Sequence, residues 1–297
     1  MQQESIYIHD TDKDHQLHLR HIWQEEKGIP VLMLHGTIEN GKIFYTLSGK
    51  GLACYLAQQG FDVYVADFRG KGKSRPLIKD NQRHGQHELI NRDIPLFINA
   101  ITKKTKQKMH VICHSWGGVL LASSLVKLHS VREQIISNVC FGTKRSIHIN
   151  SIKKRWFIDF LWARLVLKVA KHIGYINAKA LRVGADNETY NFIKESIHWL
   201  KQGKWQDPLD NFDYYKQVKL IDWPATWHLT GRKDDVLGNP NDIEAFIKET
   251  SKDQAKMTIL SKANGAKFDY DHINILTHSC AVDDHFPQIS QWLLSHH

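Results

Sequence analysis

The sequence has few cysteines and no long apolar run, and both absences exclude whole classes of protein. Its four cysteines are far apart and none belongs to a CxxC pair, so the spacings of a zinc site and of a secreted disulfide framework are missing. The polar first fifteen residues lack the apolar region of a signal peptide. No stretch reaches the roughly 18 apolar residues that a membrane-spanning helix needs. We therefore expect a soluble, cytoplasmic protein in a reducing compartment.

The overall composition is that of a globular protein. Of the 297 residues, 42% are apolar and 24% are charged, which excludes disordered and fibrous classes. Lysine and arginine number 40 against 31 acidic residues, for a formal charge of +9. This charge is spread along the chain and forms no basic tail, so no nucleic-acid partner is expected.

Short β-patterns and helical patterns alternate along most of the chain. The predicted strands are residues 5–9, 16–22, 30–34, 61–66, 109–113, 136–141, 225–230 and 256–260. Helical patterns between them predict an α/β fold with a mostly parallel sheet.

The alternation stops between residues 147 and 215, where helical periodicity continues without a convincing strand. We therefore predict an α/β core in two parts, residues 1–146 and 216–297, interrupted by a helical cap or lid at 147–215.

The most specific local motif is the run VICHSWGG at 111–118, which contains Ser115. A β-pattern ends there and a helical pattern starts at once, which is the setting of a nucleophile elbow. Cys113 and Gly117 are small enough to flank this turn, although Cys113 replaces the first glycine of the G-x-S-x-G motif. Ser115 is therefore the predicted nucleophile, and the alternative is a serine that N-caps a buried helix. Its neighbour His114 is expected to point away from the site.

A serine hydroxyl needs a base, and the base needs an orienting carboxylate. Asp234 follows the predicted strand 225–230 and is the favoured acid, with Asp235 as its rival; the other interpretation is a solvated loop pair. His272 lies beyond strand 256–260, and this placement makes it the favoured base among 19 histidines. Because parallel strands end at one edge of a sheet, these side chains should meet there.

Acyl-transfer chemistry also needs two backbone N–H groups that stabilise an oxyanion. Trp116, directly after the serine, offers one of them. The turn after strand 30–34 offers the second, the amide of Thr37. His35 in that turn is interpreted as a turn-stabilising residue.

Taken together, these segments resemble the α/β-hydrolase family. The resemblance rests on the LHG motif at 34–36, the loop 67–70, the serine elbow, and the loops of Asp234 and His272, which span nearly the whole chain in family order. It implies a mostly parallel, eight-stranded type of sheet flanked by helices, with an inserted helical cap. It also implies that the loop 67–70 has a structural role.

Within that family, the insert and the segment DHIN at 271–274 are similar to lipase-like branches, including acid lipases and polyhydroxyalkanoate-related enzymes. A serine at the elbow argues against epoxide hydrolases and haloalkane dehalogenases, which have aspartate there. The resemblance implies a carboxylic ester hydrolase that forms an acyl-enzyme on Ser115 and acts on a small-molecule acyl ester, with a preference for hydrophobic acyl groups. The alternatives are an acyltransferase and a catalytically silent binding protein on the same fold.

No cofactor and no metal is expected, because the sequence contains neither an HExxH motif nor a Cys/His cluster.

The insert mixes apolar and basic residues between 151 and 175. One interpretation is that the apolar residues pack the insert onto the core. The alternative is a lid that lines an acyl pocket or touches an anionic lipid surface.

Overall fold

The computed structural model describes residues 1–10, 15–25, 28–147, 167–201, 203–251 and 255–297. Ten strands lie in these ranges: β1 (Gln2–His9), β2 (Gln16–Trp23), β3 (Ile29–Leu34), β4 (Phe61–Asp67), β5 (Met109–His114), β6 (Ile135–Phe141), β7 (Tyr175–Ile176), β8 (Glu188–Thr189), β9 (Ala225–Gly231) and β10 (Lys256–Leu260). Eight of them form one sheet in the order β1-β2-β4-β3-β5-β6-β9-β10. Only β2 runs antiparallel to its neighbours β1 and β4, and the other pairs are parallel. The predicted α/β fold with a mostly parallel sheet is confirmed.

Helices flank this sheet and connect its strands. The described α-helices are α1 (Leu52–Gln58), α2 (Gln86–Glu88), α3 (Ile94–Thr105), α4 (Trp116–Lys127), α5 (His129–Arg132), α6 (Leu167–Ile173), α7 (Tyr190–Trp199), α8 (Tyr214–Gln217), α9 (Pro240–Thr250), α10 (Asn274–Thr277) and α11 (Phe286–Ser295). Short 3₁₀ turns occupy Gly41–Ile43, Val218–Leu220, Lys262–Asn264 and Ser279–Asp283, and Leu89–Asp93 forms a π turn. Local chemistry explains where α9 begins. The Asn239 side chain caps α9, whose first residue is a proline.

Two large clusters of buried apolar side chains cover the two faces of the sheet, and a third, small one lies between residues 170 and 193. In β5, Val111 and Cys113 belong to one cluster of buried side chains, whereas Ile112 between them belongs to the other. This alternation follows from the two-residue period of a strand. Because both faces are covered, the central strands β4 and β5 are buried along their whole length and are mostly apolar.

The connection between β6 and β9, residues 142–224, contains the region that the sequence predicts to be helical. Helices α6, α7 and α8 lie there, but β7 and β8 also pair as a short antiparallel ladder. The expectation of an exclusively helical insert is wrong in this detail, because two-residue strands are too short to show an alternating pattern. Residues 148–166, which include most of the apolar and basic run, lie outside the described residues. The predicted bounds of the insert, residues 147–215, and its predicted contact with a lipid surface stay predictions.

Carboxylates of this β6–β9 connection attach it to the core of the fold. Glu188 accepts a hydrogen bond from the ammonium group of Lys71, and both side chains are almost completely buried. Glu195 on α7 accepts a hydrogen bond from the backbone N–H of Gln86 at 2.7 Å. Burial raises the pKa of Glu195 to about 7. The connection is therefore tied to the core through buried polar contacts next to its apolar packing.

The loop after β4 is held by a buried ion pair. The guanidinium of Arg69 donates from Nε to Asp93 Oδ1 at 2.8 Å, and the Arg69 backbone N–H donates to Oδ2 of the same carboxylate at 2.9 Å. Arg69 and Asp93 are 1% and 0% exposed. The guanidinium also donates from Nη2 to Asp10 Oδ2 at 3.2 Å. Removing Asp93 would therefore leave this buried charge with only the longer contact to Asp10.

We expect Asp93→Ala to lower the free energy of unfolding by about 3 kcal/mol, the lower end of the cost of breaking a buried ion pair, because Asp10 still faces Arg69. Chemical denaturation measures this loss. The control is Glu133→Gln, which removes the exposed contact between Glu133 and His129 and should cost less than about 0.5 kcal/mol. Equal losses in the two variants would contradict this role for the Arg69 pair.

Candidate active site

The predicted elbow is a strained turn between β5 and α4. Ser115 has φ 52° and ψ −126°, a conformation that costs a non-glycine residue roughly 1–3 kcal/mol. Its backbone N–H donates to the carbonyl oxygen of Phe141 at 2.8 Å. Its own carbonyl oxygen accepts a hydrogen bond from Thr143 Oγ1 at 2.9 Å. Contacts with the neighbouring strand β6 and the loop after it therefore hold the strained serine in place.

Two glycines allow the backbone to come close to this turn. A Cβ atom on Gly117 would lie 2.5 Å from the carbonyl oxygen of His35, and one on Gly36 would lie 2.8 Å from Cβ of Ser115. Side chains at these two positions would collide with the backbone or the serine. Cys113, where the motif has its first glycine, is completely buried in β5 and lies opposite Cys140 of β6.

Asp234 and His272 are hydrogen-bonded to each other. His272 Nδ1 and Asp234 Oδ2 are 2.6 Å apart, and the side chains are 10% and 3% exposed. The second carboxylate oxygen of Asp234 accepts the backbone N–H of Gly238 at 2.6 Å. Asp235 is exposed. The structure thus brings together His272 and the favoured acid, Asp234.

Ser115 and His272 line one cavity of about 630 Å³. The predicted oxyanion residues Thr37 and Trp116 line the same cavity. Thr37 follows β3 and Trp116 follows β5, and these strands are parallel neighbours whose ends are in register, with Leu34 opposite Cys113. The five residues that the sequence assigns to the site therefore lie at one edge of the sheet, as expected for parallel strands.

Most of the cavity wall is apolar. The aliphatic lining residues are Ile38, Ile43, Ile147, Val183, Ala185, Ile193, Leu200, Leu237 and Ile273. They come from the core and from the β6–β9 connection. Lys42, Lys144 and Arg182 also line the cavity. A largely apolar cavity with a small number of polar groups is typical of a small-molecule site.

The expectation that His114 points away from the site is wrong. Its ring packs against that of His272, with centroids 4.7 Å apart. His114 Nε2 donates to the backbone oxygen of His272 at 2.8 Å, and Nδ1 donates to Glu39 Oε2 at 2.8 Å. The same Glu39 oxygen accepts the N–H of Gly36 at 2.7 Å. Because both ring nitrogens face acceptors, the imidazole is doubly protonated.

The charges of Glu39 and His114 stabilise each other. Burial opposes both charges, but the facing imidazolium outweighs it for Glu39 and lowers the pKa of this carboxyl to about 2. Burial likewise opposes the charge of His114, and the Glu39 carboxylate outweighs it and raises the pKa of His114. The pair connects the backbone of His272 to the loop that carries Thr37. Sequence reasoning missed Glu39, because a single acid in a turn forms no motif.

His35 has the structural role that the sequence predicts. It accepts the backbone N–H of Phe68 at Nε2, at 3.2 Å, and contacts the oxygen of Gly36 through Nδ1. Burial, followed by the nearby charge of Lys71, lowers its pKa to about 4. His35 is therefore neutral and links the turn after β3 to the end of β4.

One group of side chains has the composition of a metal site, but it lies away from the cavity. His87, Asp207 and Asp210 bring their ligand atoms within 4.8 Å of one another. The ammonium of Lys127 donates to both carboxylates, at 2.9 Å to Asp207 and 2.5 Å to Asp210. A lysine thus already supplies the positive charge between these two acids.

A family model described as serine aminopeptidase, S33, matches residues 24–263, which is more than half of the chain. The chain belongs to this family. Among solved structures, this S33 chain is similar to a soluble variant of monoglyceride lipase from Saccharomyces cerevisiae, with a TM-score of 0.70 and 14% identity over 100% of this chain and 95% of that one. This likeness shows a shared fold, the α/β-hydrolase fold that the sequence predicts.

Two curated relatives match shorter parts of the S33 chain. Sterol esterase 2 of Saccharomyces cerevisiae is 28% identical over 102 residues, which cover 32% of this chain and 19% of the relative. Triacylglycerol lipase 2 of Arabidopsis thaliana is 33% identical over 98 residues, 31% of this chain and 23% of the relative. The chain therefore aligns with only about a fifth of the length of each. Within the described residues, no helix is both long and apolar enough to cross a membrane.

We expect His114→Gln to lower the free energy of unfolding by about 3 kcal/mol at pH 6, since it leaves the Glu39 carboxylate buried without its cation. A raised pKa stabilises the folded state below the ordinary histidine value of 6.5, and this contribution is lost as the pH rises through the folded-state pKa. The difference between wild type and variant should therefore narrow from pH 6 to pH 9. Chemical denaturation at both values checks this. An exposed control, His129→Gln, should show no such trend, and a constant gap for His114→Gln would contradict the charged pair.

Proposed function

We propose that this protein is a serine hydrolase that cleaves carboxylic esters through an acyl-enzyme on Ser115. The observation that carries the proposal is the pairing of His272 with Asp234 beside a strained serine that lines the same apolar cavity. A strained nucleophile next to a histidine–carboxylate pair is the recurring arrangement of serine hydrolases.

In the proposed reaction, His272 Nε2 takes the proton of the Ser115 hydroxyl as its oxygen attacks the ester carbonyl carbon. Asp234 accepts the N–H at Nδ1 and stabilises the imidazolium that forms. The backbone N–H groups of Thr37 and Trp116 stabilise the oxyanion. His272 then gives the proton to the departing alcohol, and water, activated by the same histidine, hydrolyses the acyl-enzyme.

The cavity supports a hydrophobic acyl group as the part of the substrate next to Ser115. Its aliphatic wall would exclude water from an acyl chain and gain about 25 cal/mol for each Å² of apolar surface buried. The names of the related proteins, an esterase and two lipases, also support an ester with an apolar part.

We expect a fluorophosphonate probe to label wild type and not Ser115→Ala, because the probe reacts with an activated serine. His272→Ala should lower kcat/KM for p-nitrophenyl esters by about four to six orders of magnitude. His129→Ala, at an exposed histidine, is the matched control and should stay within about twofold of wild type. Activity should rise from acetate to longer acyl esters. Labelling of Ser115→Ala at the wild-type rate would refute the assignment of the nucleophile.

The two candidate acids can be separated by a matched pair of substitutions. We expect Asp234→Asn to lower kcat by about 10⁴, because the amide cannot hold the correct tautomer of His272. Asp235→Asn should leave kcat within about twofold, since its side chain is exposed. Steady-state kinetics on one ester decides between them. The reverse order of effects would assign the acid to Asp235.

A further inference from the structure

A second cavity adjoins the catalytic one. Its volume is about 410 Å³, and it shares Asn40 and Lys42 with the catalytic cavity. The loop after β4 forms one wall, and residues 179 and 186–187 of the β6–β9 connection form another. We call this space the basic cavity, because cationic side chains dominate its lining.

Five cationic side chains surround the basic cavity: Lys42, Lys73, Arg75, Lys79 and Lys179. All five are exposed at its rim. The ammonium of Lys73 donates to the Ser5 hydroxyl, and the guanidinium of Arg75 donates to backbone carbonyl oxygens. Within the described ranges, none of the five forms an ion pair with a carboxylate. Their positive charges are therefore available to a ligand.

The two carboxylates of the lining, Asp67 and Asp186, are engaged by the protein itself. Asp67 is buried and binds His18 Nδ1 at 2.8 Å and the backbone N–H of Gly41 at 2.8 Å. Asp186 Oδ2 accepts from Asn40 Nδ2 at 2.8 Å and from the N–H of Gly72 at 2.7 Å. These acids fix the walls of the cavity, and the cations outnumber them by three.

We propose that the basic cavity binds a phosphate-type anion carried by the ester substrate. The inference rests on the proposed function, since it places the ester at Ser115, the acyl group against the aliphatic wall, and the anion among the five cations. Asn40 and Lys42 line both cavities, so the two spaces are neighbours. The substrate class is therefore an acyl ester whose alcohol part bears a phosphate group.

A phosphate suits this cavity better than a single carboxylate does. It carries up to two negative charges and three acceptor oxygens, which several separate ammonium and guanidinium groups can approach from different walls. Lysine binds such groups as a point charge and arginine as a planar donor. Because the cations are exposed, salt should weaken their attraction for the anion.

The decisive experiment compares two water-soluble esters that differ only in the anion, 1-butyrylglycerol and 1-butyrylglycerol 3-phosphate. The test variant is Lys79→Gln/Lys179→Gln, which changes two side chains outside the catalytic cavity. The control is Lys103→Gln/Lys219→Gln, which removes the same charge at exposed positions outside both cavities.

We expect the test variant to lower kcat/KM for the phosphate ester by about tenfold. The change should be mainly a higher KM, because two exposed cations that attract the phosphate are lost. The neutral ester should stay within about twofold, and so should both esters in the control variant. In wild type, high salt should lower the ratio of kcat/KM for the phosphate ester to kcat/KM for the neutral ester. Equal changes for the two esters, or an equal loss in the control, would overturn the proposal.

Binding to Ser115→Ala separates the anion site from the catalytic proposal. Calorimetry with 1-butyrylglycerol 3-phosphate should give a dissociation constant that weakens about tenfold when Lys79 and Lys179 are also changed to Gln. If wild type hydrolyses neither ester, the proposed function is wrong. Binding that weakens when Lys79 and Lys179 are changed would still support the proposal that the basic cavity binds the phosphate group. Absence of binding of 1-butyrylglycerol 3-phosphate to Ser115→Ala would overturn the proposed anion site.

Inorganic phosphate distinguishes a substrate group from a free anion. It should raise KM for the phosphate ester and leave kcat unchanged, because the two compete for the same cations. Binding of inorganic phosphate to wild type with equal kcat/KM for the two esters would assign the cavity to free phosphate and overturn its assignment to the substrate.

Discussion

The strained turn at Ser115 is the constraint on which the rest of the site depends. An L-residue at φ 52° stays there only because β5, β6 and the loop after β3 surround it. The same packing puts Gly36 against the serine and so brings the Thr37 loop to Ser115. Parallel strands that end at one edge deliver the remaining groups, since Asp234 and His272 come from loops beyond β9 and β10.

Buried charges around this edge are arranged in pairs. Glu39 with His114 lies beneath the His272 backbone, and Lys71 with Glu188 lies between the core and the β6–β9 connection. Each pair needs both members, because a single buried charge costs several kcal/mol. The pairs therefore restrict the relative positions of the loops that carry the site. Loops without such contacts would be less precisely placed, and a site built from four loops needs that precision.

The two cavities give the site a chemical asymmetry. One wall is aliphatic, and the neighbouring space is surrounded by cations that the protein leaves without a carboxylate partner in the described ranges. The hydrophobic effect acts at contact distance on the apolar side, whereas the charges act over about 8–10 Å at moderate salt. A substrate with an apolar acyl group and an anionic alcohol part would meet both features in one orientation.

Local patterns in the sequence determined most of the fold, because a strand buried on both faces is mostly apolar and a helix that packs on a sheet has apolar residues at helical spacing. They also pointed to Ser115, since a sharp strand-to-helix turn demands small neighbours such as Gly117. They did not reveal β7 and β8, because a strand of two residues is too short to show an alternating pattern. They also did not reveal Glu39, because its partner His114 is 75 residues away in the chain. The distance between Asp234 and His272, the orientation of His114 and the cluster of five cations arose only in the tertiary structure. These features join residues that are far apart in the chain, and no local pattern encodes which distant charges will face one another once the loops have packed.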